Sequence, residues 1–81
     1  MTQAQVIEKL QHIFDDVFVA PVTVTPELSA NDVDEWDSLT HISLMVAVEK
    51  AFNVRFRVGE VEATENLGQL ATLIANRLNG N

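Results

Sequence analysis

The sequence predicts a small all-α bundle with three main helices, one short helix and a long first loop. Three observations lead to this fold class. Apolar residues recur at helical spacing in three separate segments. Residues that cap helices stand at the borders of those segments, and no run of alternating apolar and polar residues indicates a β-strand. Hydrophobic residues make up 47% of the 81 residues. That is enough for a compact core, so we expect a single domain over residues 1–81.

The first helix is predicted to begin after Thr2, because Gln5 stands three residues further on and completes a capping box. We expect the helix to end near Phe18 and to place His12 at the surface. Its apolar residues fall on one face, which comprises Val6, Leu10, Ile13, Phe14 and Val17.

A long loop is predicted next, over about residues 19–36, because Pro21 and Pro26 disfavour a helix there. A loop of this length in so small a domain is usually functional, or is packed by its own apolar side chains. Trp36 is expected to anchor the end of the loop. The side chains that could pack it are Val22, Val24, Leu28 and Val33.

The second helix, predicted over about residues 37–52, carries two apolar stripes. One broad face is expected to meet the core and comprises His41, Leu44, Met45, Val48 and Phe52. A second stripe lies almost opposite and comprises Leu39, Ile42 and Val46. A surface helix normally has a single stripe. Burial of the helix on both sides would explain two stripes, but it is difficult in so short a chain. We therefore favour a strip that docks a partner.

The second helix is expected to end at Asn53, since asparagine tolerates the left-handed conformation found at such ends. Val54 and Phe56 are then expected in the core. A short helix is predicted around residues 58–63, although Gly59 disfavours it.

A second capping box, formed by Asn66 and Gln69, predicts the start of the last helix, and Gly80 predicts its end. The apolar face of this helix comprises Leu67, Leu70, Leu73, Ile74 and Leu78.

The net charge of −7 is spread unevenly. Residues 10–49 contain eight carboxylates and no lysine or arginine, whereas the remainder has five basic residues against four carboxylates. An acidic half argues against binding to nucleic acid. It favours a basic protein partner, which the negative charge would attract less strongly as salt is added. The alternative is that the charge serves solubility alone.

The chain contains no cysteine, which excludes disulfides, cysteine-based zinc sites and cysteine nucleophiles. Its first residues lack the basic start and apolar block of a signal peptide, and no stretch could span a membrane. We therefore expect a cytoplasmic protein.

Ser38 stands where the acidic loop turns into the second helix, after Asp34, Glu35 and Asp37. The unpaired N–H groups and the dipole of a first helical turn favour an anion, so a phosphate carried on Ser38 would suit this position. The neighbouring carboxylates would repel that phosphate by about 1 kcal/mol per charge at contact distance in water. We therefore assign the carboxylates to a basic partner.

The residues around Ser38 disfavour two other kinds of site. Ser38 and His41 lie one helical turn apart, as a nucleophile and its base would, but His41 points to the core face and no third orienting group is evident. The acidic loop is similar to a calcium loop, but no register supplies both the glycine and the glutamate that an EF-hand requires. Neither a catalytic residue nor a metal site is predicted.

Residues 36–42, Trp-Asp-Ser-Leu-Thr-His-Ile, resemble the region around the Asp-Ser-Leu motif of acyl carrier proteins. The resemblance covers nearly the whole chain and includes the helix order. It extends through Leu44, Val48, Glu49, Phe52, Phe56 and the run Asn66-Leu67-Gly68-Gln69-Leu70. In that family the motif's serine, here Ser38 between Asp37 and Leu39, is modified with 4′-phosphopantetheine by a transferase that uses coenzyme A.

The resemblance implies a carrier and not an enzyme. The arm ends in a thiol, which suits a chain without cysteine, and acyl groups ride on it as thioesters while separate enzymes act on them. Those acyl-loading and acyl-processing enzymes, like the transferase, would dock basic patches on the acidic side of a monomer. The contacts that the resemblance assigns to partners are Leu39, Ile42, Val46, Glu49, Asp34 and Glu35.

The sequence also departs from common members of the family. Trp36 replaces a small residue, and Thr40, Ser43 and Lys50 stand where carboxylates are frequent. We infer a dedicated partner set in a specialised fatty-acid, polyketide or lipid pathway. The alternatives are an aminoacyl, D-alanyl or peptidyl carrier, an unmodified interaction module, and a hydrolase that uses Ser38.

Overall fold

The computed structural model describes residues 2–57 and 59–80. Three α-helices follow one another, α1 (Gln3–Val17), α2 (Ser38–Phe52) and α3 (Leu67–Leu78), and a single-turn 3₁₀ helix (Ala30–Asp32) interrupts the first loop. Those residues contain no β-strand, so the all-α class and the long first loop are confirmed. No helix among them has both the length and the apolar character that crossing a membrane requires.

Helix α1 forms because its first turn is capped and its apolar residues share one face. The Thr2 hydroxyl accepts from the N–H of Gln5, and the Gln5 side chain accepts from the N–H of Thr2, so the predicted capping box is confirmed. His12 is exposed, as expected. The helix packs against both α2 and α3 and buries Val6, Leu10, Ile13 and Phe14.

Helix α2 begins at the cap residue Asp37 and ends at Asn53, whose φ of 56° and ψ of 49° are left-handed, as predicted. The face predicted for the core is confirmed. His41 and Met45 are half-buried on it, and the fully buried members are Leu44, Val48 and Phe52.

Helix α3 departs from its prediction in two places. The Asn66 side chain accepts from the N–H of Gln69 at 2.9 Å, but the Gln69 side chain accepts from the N–H of Glu65, so half of the predicted capping box is wrong. A turn of the chain before Asn66 brings the N–H of Glu65 to the Gln69 side chain. Leu78 is 36% exposed and does not belong to the core face, because the last turn of the helix leaves the core.

The short helix predicted around residues 58–63 is not formed over 59–63, which adopt turns, and Val58 lies outside the described residues. The turns are held by backbone hydrogen bonds from Ala63 to Gly59 and from Thr64 to Val61, at 3.1 and 2.9 Å. Gly59 has a φ of +85°, which a right-handed helix does not allow. We refer to residues 59–64 as the turn segment.

The long first loop is ordered by its own apolar side chains, as predicted. Val24 is buried, while Val22, Leu28 and Val33 are half-buried against the core. The loop is also tied to α3, because the carbonyls of Pro26 and Leu28 accept from the N–H groups of Gly68 and Leu67. At the end of the loop, the Trp36 ring packs edge-on against Phe14 with their centroids 5.4 Å apart. These contacts therefore hold the residues that precede α2 in a fixed position against the core.

Candidate functional site

Ser38 is the first residue of α2 and is exposed. Beside it, the Asp37 carboxylate accepts from the N–H of Thr40 at 2.8 Å and so caps the helix. This hydrogen bond is the main reason that the pKa of Asp37 lies below its usual value. The Ser38 hydroxyl therefore stands at a rigid, capped helix start beside an ionised carboxylate.

His41 is engaged on both ring nitrogens and does not act on Ser38. Its Nδ1 lies 3.0 Å from Nε1 of Trp36, and its Nε2 lies 2.9 Å from a Glu62 carboxylate oxygen. The indole N–H can only donate. Nδ1 must therefore accept, and the ring proton lies on Nε2, which donates to Glu62. With both nitrogens occupied, His41 is not a general base for the serine, and the structural interpretation of this histidine is the better one.

The contact of Glu62 with His41 could not be predicted from the sequence. The hydrogen bond from His41 is the main reason that the pKa of Glu62 lies below its usual value. The two residues are 21 positions apart, and Glu62 lies in the turn segment, where helical periodicity gives no orientation. The only available signal was the presence of Trp36 five positions before His41, and it does not point to Glu62.

A groove of about 760 Å³ opens beside Ser38. One of its walls is the 3₁₀ region of the first loop, the second is the start of α2, and the third runs from the turn segment into α3. Three buried apolar side chains line it, Val61, Leu67 and Leu70. The groove thus places apolar surface next to the hydroxyl.

The second stripe of α2 is exposed and begins beside Ser38. Leu39, Ile42 and Val46 are 75%, 61% and 45% exposed, so burial of the helix on both sides is excluded. We call these three residues the strip. Exposed apolar residues that adjoin one another in this way are typical of a surface that contacts another protein.

The carboxylates assigned to a partner differ in their surroundings. Glu35 accepts from the N–H groups of Val19 and Ala20 at 3.2 and 2.8 Å, and Glu49 accepts from the N–H of Phe56 at 2.9 Å. Both therefore hold the backbone of neighbouring segments. Asp34 is exposed near the end of the first loop. Within 2–57 and 59–80, no three His, Asp or Glu side chains are grouped so that they could hold a metal ion.

The sequence matches no family model, but individual proteins are similar to it over almost all of their length. An acyl carrier protein of Acidothermus cellulolyticus is 31% identical over 77 residues, which are 94% of this chain and 92% of the relative. An acyl carrier protein of Thermosynechococcus vestitus is 30% identical over 79 residues, 96% of this chain and 98% of the relative.

A solved structure agrees with these relatives. The solution structure of a holo acyl carrier protein from Geobacter metallireducens is 34% identical to this chain and superposes with a TM-score of 0.70. The superposition covers 99% of this chain and 93% of the other. The order of helices and the identity over nearly the full length lead to one conclusion: this chain belongs to the acyl carrier protein family.

Proposed function

We propose that this protein carries acyl intermediates as thioesters on a 4′-phosphopantetheine arm attached to Ser38. The observation that carries the proposal is the exposed hydroxyl of Ser38 at the first position of α2, inside Asp37-Ser38-Leu39, in a chain of this family. The relative of known structure is described as holo, which supports a modified form for this chain too.

The residues around Ser38 fit such an arm. The hydroxyl is exposed to solvent at the positive end of a helix, and the neighbouring Asp37 carboxylate accepts a hydrogen bond from the N–H of Thr40. In the transfer, the serine oxygen forms a bond to the phosphorus that joins pantetheine to the nucleotide in coenzyme A. The bond from that phosphorus to the adenosine bisphosphate breaks, and the serine proton passes to a base. With His41 fully engaged, we assign that base to the transferase.

The experiment that tests the proposal is an intact mass measurement before and after incubation with coenzyme A and a broad-specificity phosphopantetheinyl transferase. We expect a gain of one phosphopantetheine. A folded protein that gains no mass, alongside a family member that does, would contradict the proposal and favour an unmodified interaction module.

We further propose that partner enzymes dock on the strip, with Asp34, Glu35 and Glu49 supplying the charge that attracts their basic patches. The strip is exposed and begins next to the attachment point, so a bound enzyme would reach the arm. Attraction between opposite charges would speed the encounter and weaken with salt, whereas the apolar contacts would set the lifetime of the complex.

Truncation of the strip tests this surface. Leu39→Ala and Ile42→Ala are each expected to lower the transferase kcat/KM about fivefold or more, as loss of a central apolar contact does. Val19→Ala is the matched control, because Val19 is 95% exposed but lies in the first loop, outside the strip. Equal rates for all three variants would show that the enzyme binds elsewhere.

The cargo is proposed to be an acyl group from a specialised fatty-acid, polyketide or lipid pathway. Thr40, Ser43 and Lys50, in positions where carboxylates are frequent, support a dedicated partner set. Efficient turnover by the enzymes of a general fatty acid synthase would contradict this. An aminoacyl, D-alanyl or peptidyl carrier would bear the same arm on Ser38, so the cognate loading enzyme separates these alternatives.

A further inference from the structure

Two aromatic rings flank Ser38 at the start of α2 and are bonded to each other. Trp36 immediately precedes the cap residue Asp37, and His41 is the fourth residue of the helix. Side chains at these two positions often pack together as a hydrophobic staple, which fixes the angle at which a chain enters a helix. Here the ring centroids lie 6.2 Å apart at an interplanar angle of 21°, and Nε1 of Trp36 donates to Nδ1 of His41 at 3.0 Å. We call Trp36 and His41 the clamp.

The clamp ties the start of α2 to the core, which the helix cap does not do. The hydrogen bond that the Asp37 carboxylate accepts lies within the first turn and holds only that turn. Ser38 and Leu39 are exposed, so their side chains do not anchor the turn to the core. The Trp36 ring, in contrast, packs edge-on against Phe14 of α1. Through the clamp, Ser38 is therefore fixed relative to α1 as well as within its own helix.

Glu62 keeps His41 in the form that the clamp requires. The indole N–H of Trp36 can only donate, so the bond needs an imidazole nitrogen that carries no proton. Glu62 accepts from Nε2 at 2.9 Å, which places the proton of the neutral ring on Nε2 and leaves Nδ1 free to accept. Because both nitrogens are bonded, the His41 ring is also held against rotation.

We propose that Trp36 and His41 are positioning residues for attachment of the arm, because their hydrogen bond holds Ser38 in the place where the transferase binds it. The proposal rests on the function proposed above. When only a fraction of a protein is in the conformation that a partner binds, the apparent dissociation constant rises in inverse proportion to that fraction. The clamp therefore lowers the KM of the transferase for this chain. It leaves kcat unchanged, since the bound form is the same with or without it.

The first test measures the clamp in the unmodified protein. His41→Asn retains an acceptor, because the side-chain oxygen of asparagine stands close to where Nδ1 stands, whereas His41→Leu retains apolar bulk without an acceptor. Trp36 is the one tryptophan of the chain, so its indole N–H gives a single NMR signal. Its exchange with water is expected to be about fivefold faster in His41→Leu than in the wild type and His41→Asn. Equal exchange in all three proteins would overturn the proposal.

The second test measures kcat and KM of a broad-specificity phosphopantetheinyl transferase at saturating coenzyme A, with the concentration of this protein varied. Trp36→Phe and His41→Leu are each expected to raise KM about fivefold and to leave kcat unchanged, while His41→Asn stays within about twofold of the wild type. The double variant should be no worse than either single one, because both lose the same bond. His12→Leu is the matched control, since His12 is an exposed histidine on α1.

The two His41 variants distinguish positioning from a contribution to stability alone. Leucine has a higher helix propensity than asparagine. If His41 only stabilised the helix, His41→Leu would keep the KM of the wild type and His41→Asn would show the larger loss. Circular dichroism and urea midpoints check that each variant is folded. If Trp36→Phe does not fold, the comparison of the two His41 variants decides by itself.

The outcomes also separate the positioning role from the proposed function. If the wild type gains no arm, the proposed function fails and the positioning role fails with it. If the wild type gains the arm and the folded variants share its KM, the carrier function stands and the positioning proposal is wrong.

Discussion

A Ser38→Ala variant is expected to fold like the wild type and to lose attachment of the phosphopantetheine arm completely. Alanine has no oxygen with which to form the phosphoester, so the loss should be total. The fold should be unaffected, because Ser38 is exposed and the cap of α2 is the side chain of Asp37. Alanine also has the highest helix propensity, so its presence in the first turn adds no cost.

Ser43→Ala is the matched control, since Ser43 is also an exposed serine of α2. Intact mass after incubation with transferase and coenzyme A should show a full gain for this control and none for Ser38→Ala, with equal unfolding midpoints in urea. A mass gain in Ser38→Ala would place the attachment on another residue. An unfolded Ser38→Ala protein would mean that the serine has a structural role that its exposure does not reveal.

Phe52→Ala is expected to lower the free energy of unfolding by about 3–5 kcal/mol, which is the usual cost of removing a buried phenylalanine ring. Phe52 is 4% exposed in the last turn of α2. The Nζ of Lys9, on α1, lies 5.0 Å from the centroid of its ring and also donates to the carbonyl of Ala51. The free energy of unfolding of a domain of this size is roughly 4–12 kcal/mol, so the variant should be close to unfolding at room temperature.

Ile42→Ala serves as the control, because it removes a large apolar side chain from the strip on the same helix, where Ile42 is 61% exposed. Its free energy of unfolding should change by no more than about 0.5 kcal/mol. Urea titrations of both variants measure the difference. A small loss for Phe52→Ala together with a large loss for Ile42→Ala would mean that the two faces of α2 are reversed, and that the strip is core.

Features that depend on residues within a few positions of one another could be predicted from the amino-acid sequence. Capping of α1 by Thr2 and the end of α2 at Asn53 are set by neighbours in the chain. The same holds for the separation of the core face of α2 from the strip, because a helical period of 3.6 residues fixes which side chains share a face. Ser38 at the start of a helix followed from this local pattern as well.

Features that join distant parts of the chain could not be predicted in this way, because they depend on how the helices and loops pack together. The bond between His41 and Glu62 spans 21 positions, and the groove beside Ser38 is enclosed by three separate segments. The conformation of the turn segment could not be predicted either, because its apolar residues have no sustained period and Gly59 takes a positive φ there. A helical period orients side chains within one element. It carries no information on which elements meet, because that depends on packing the whole core at once.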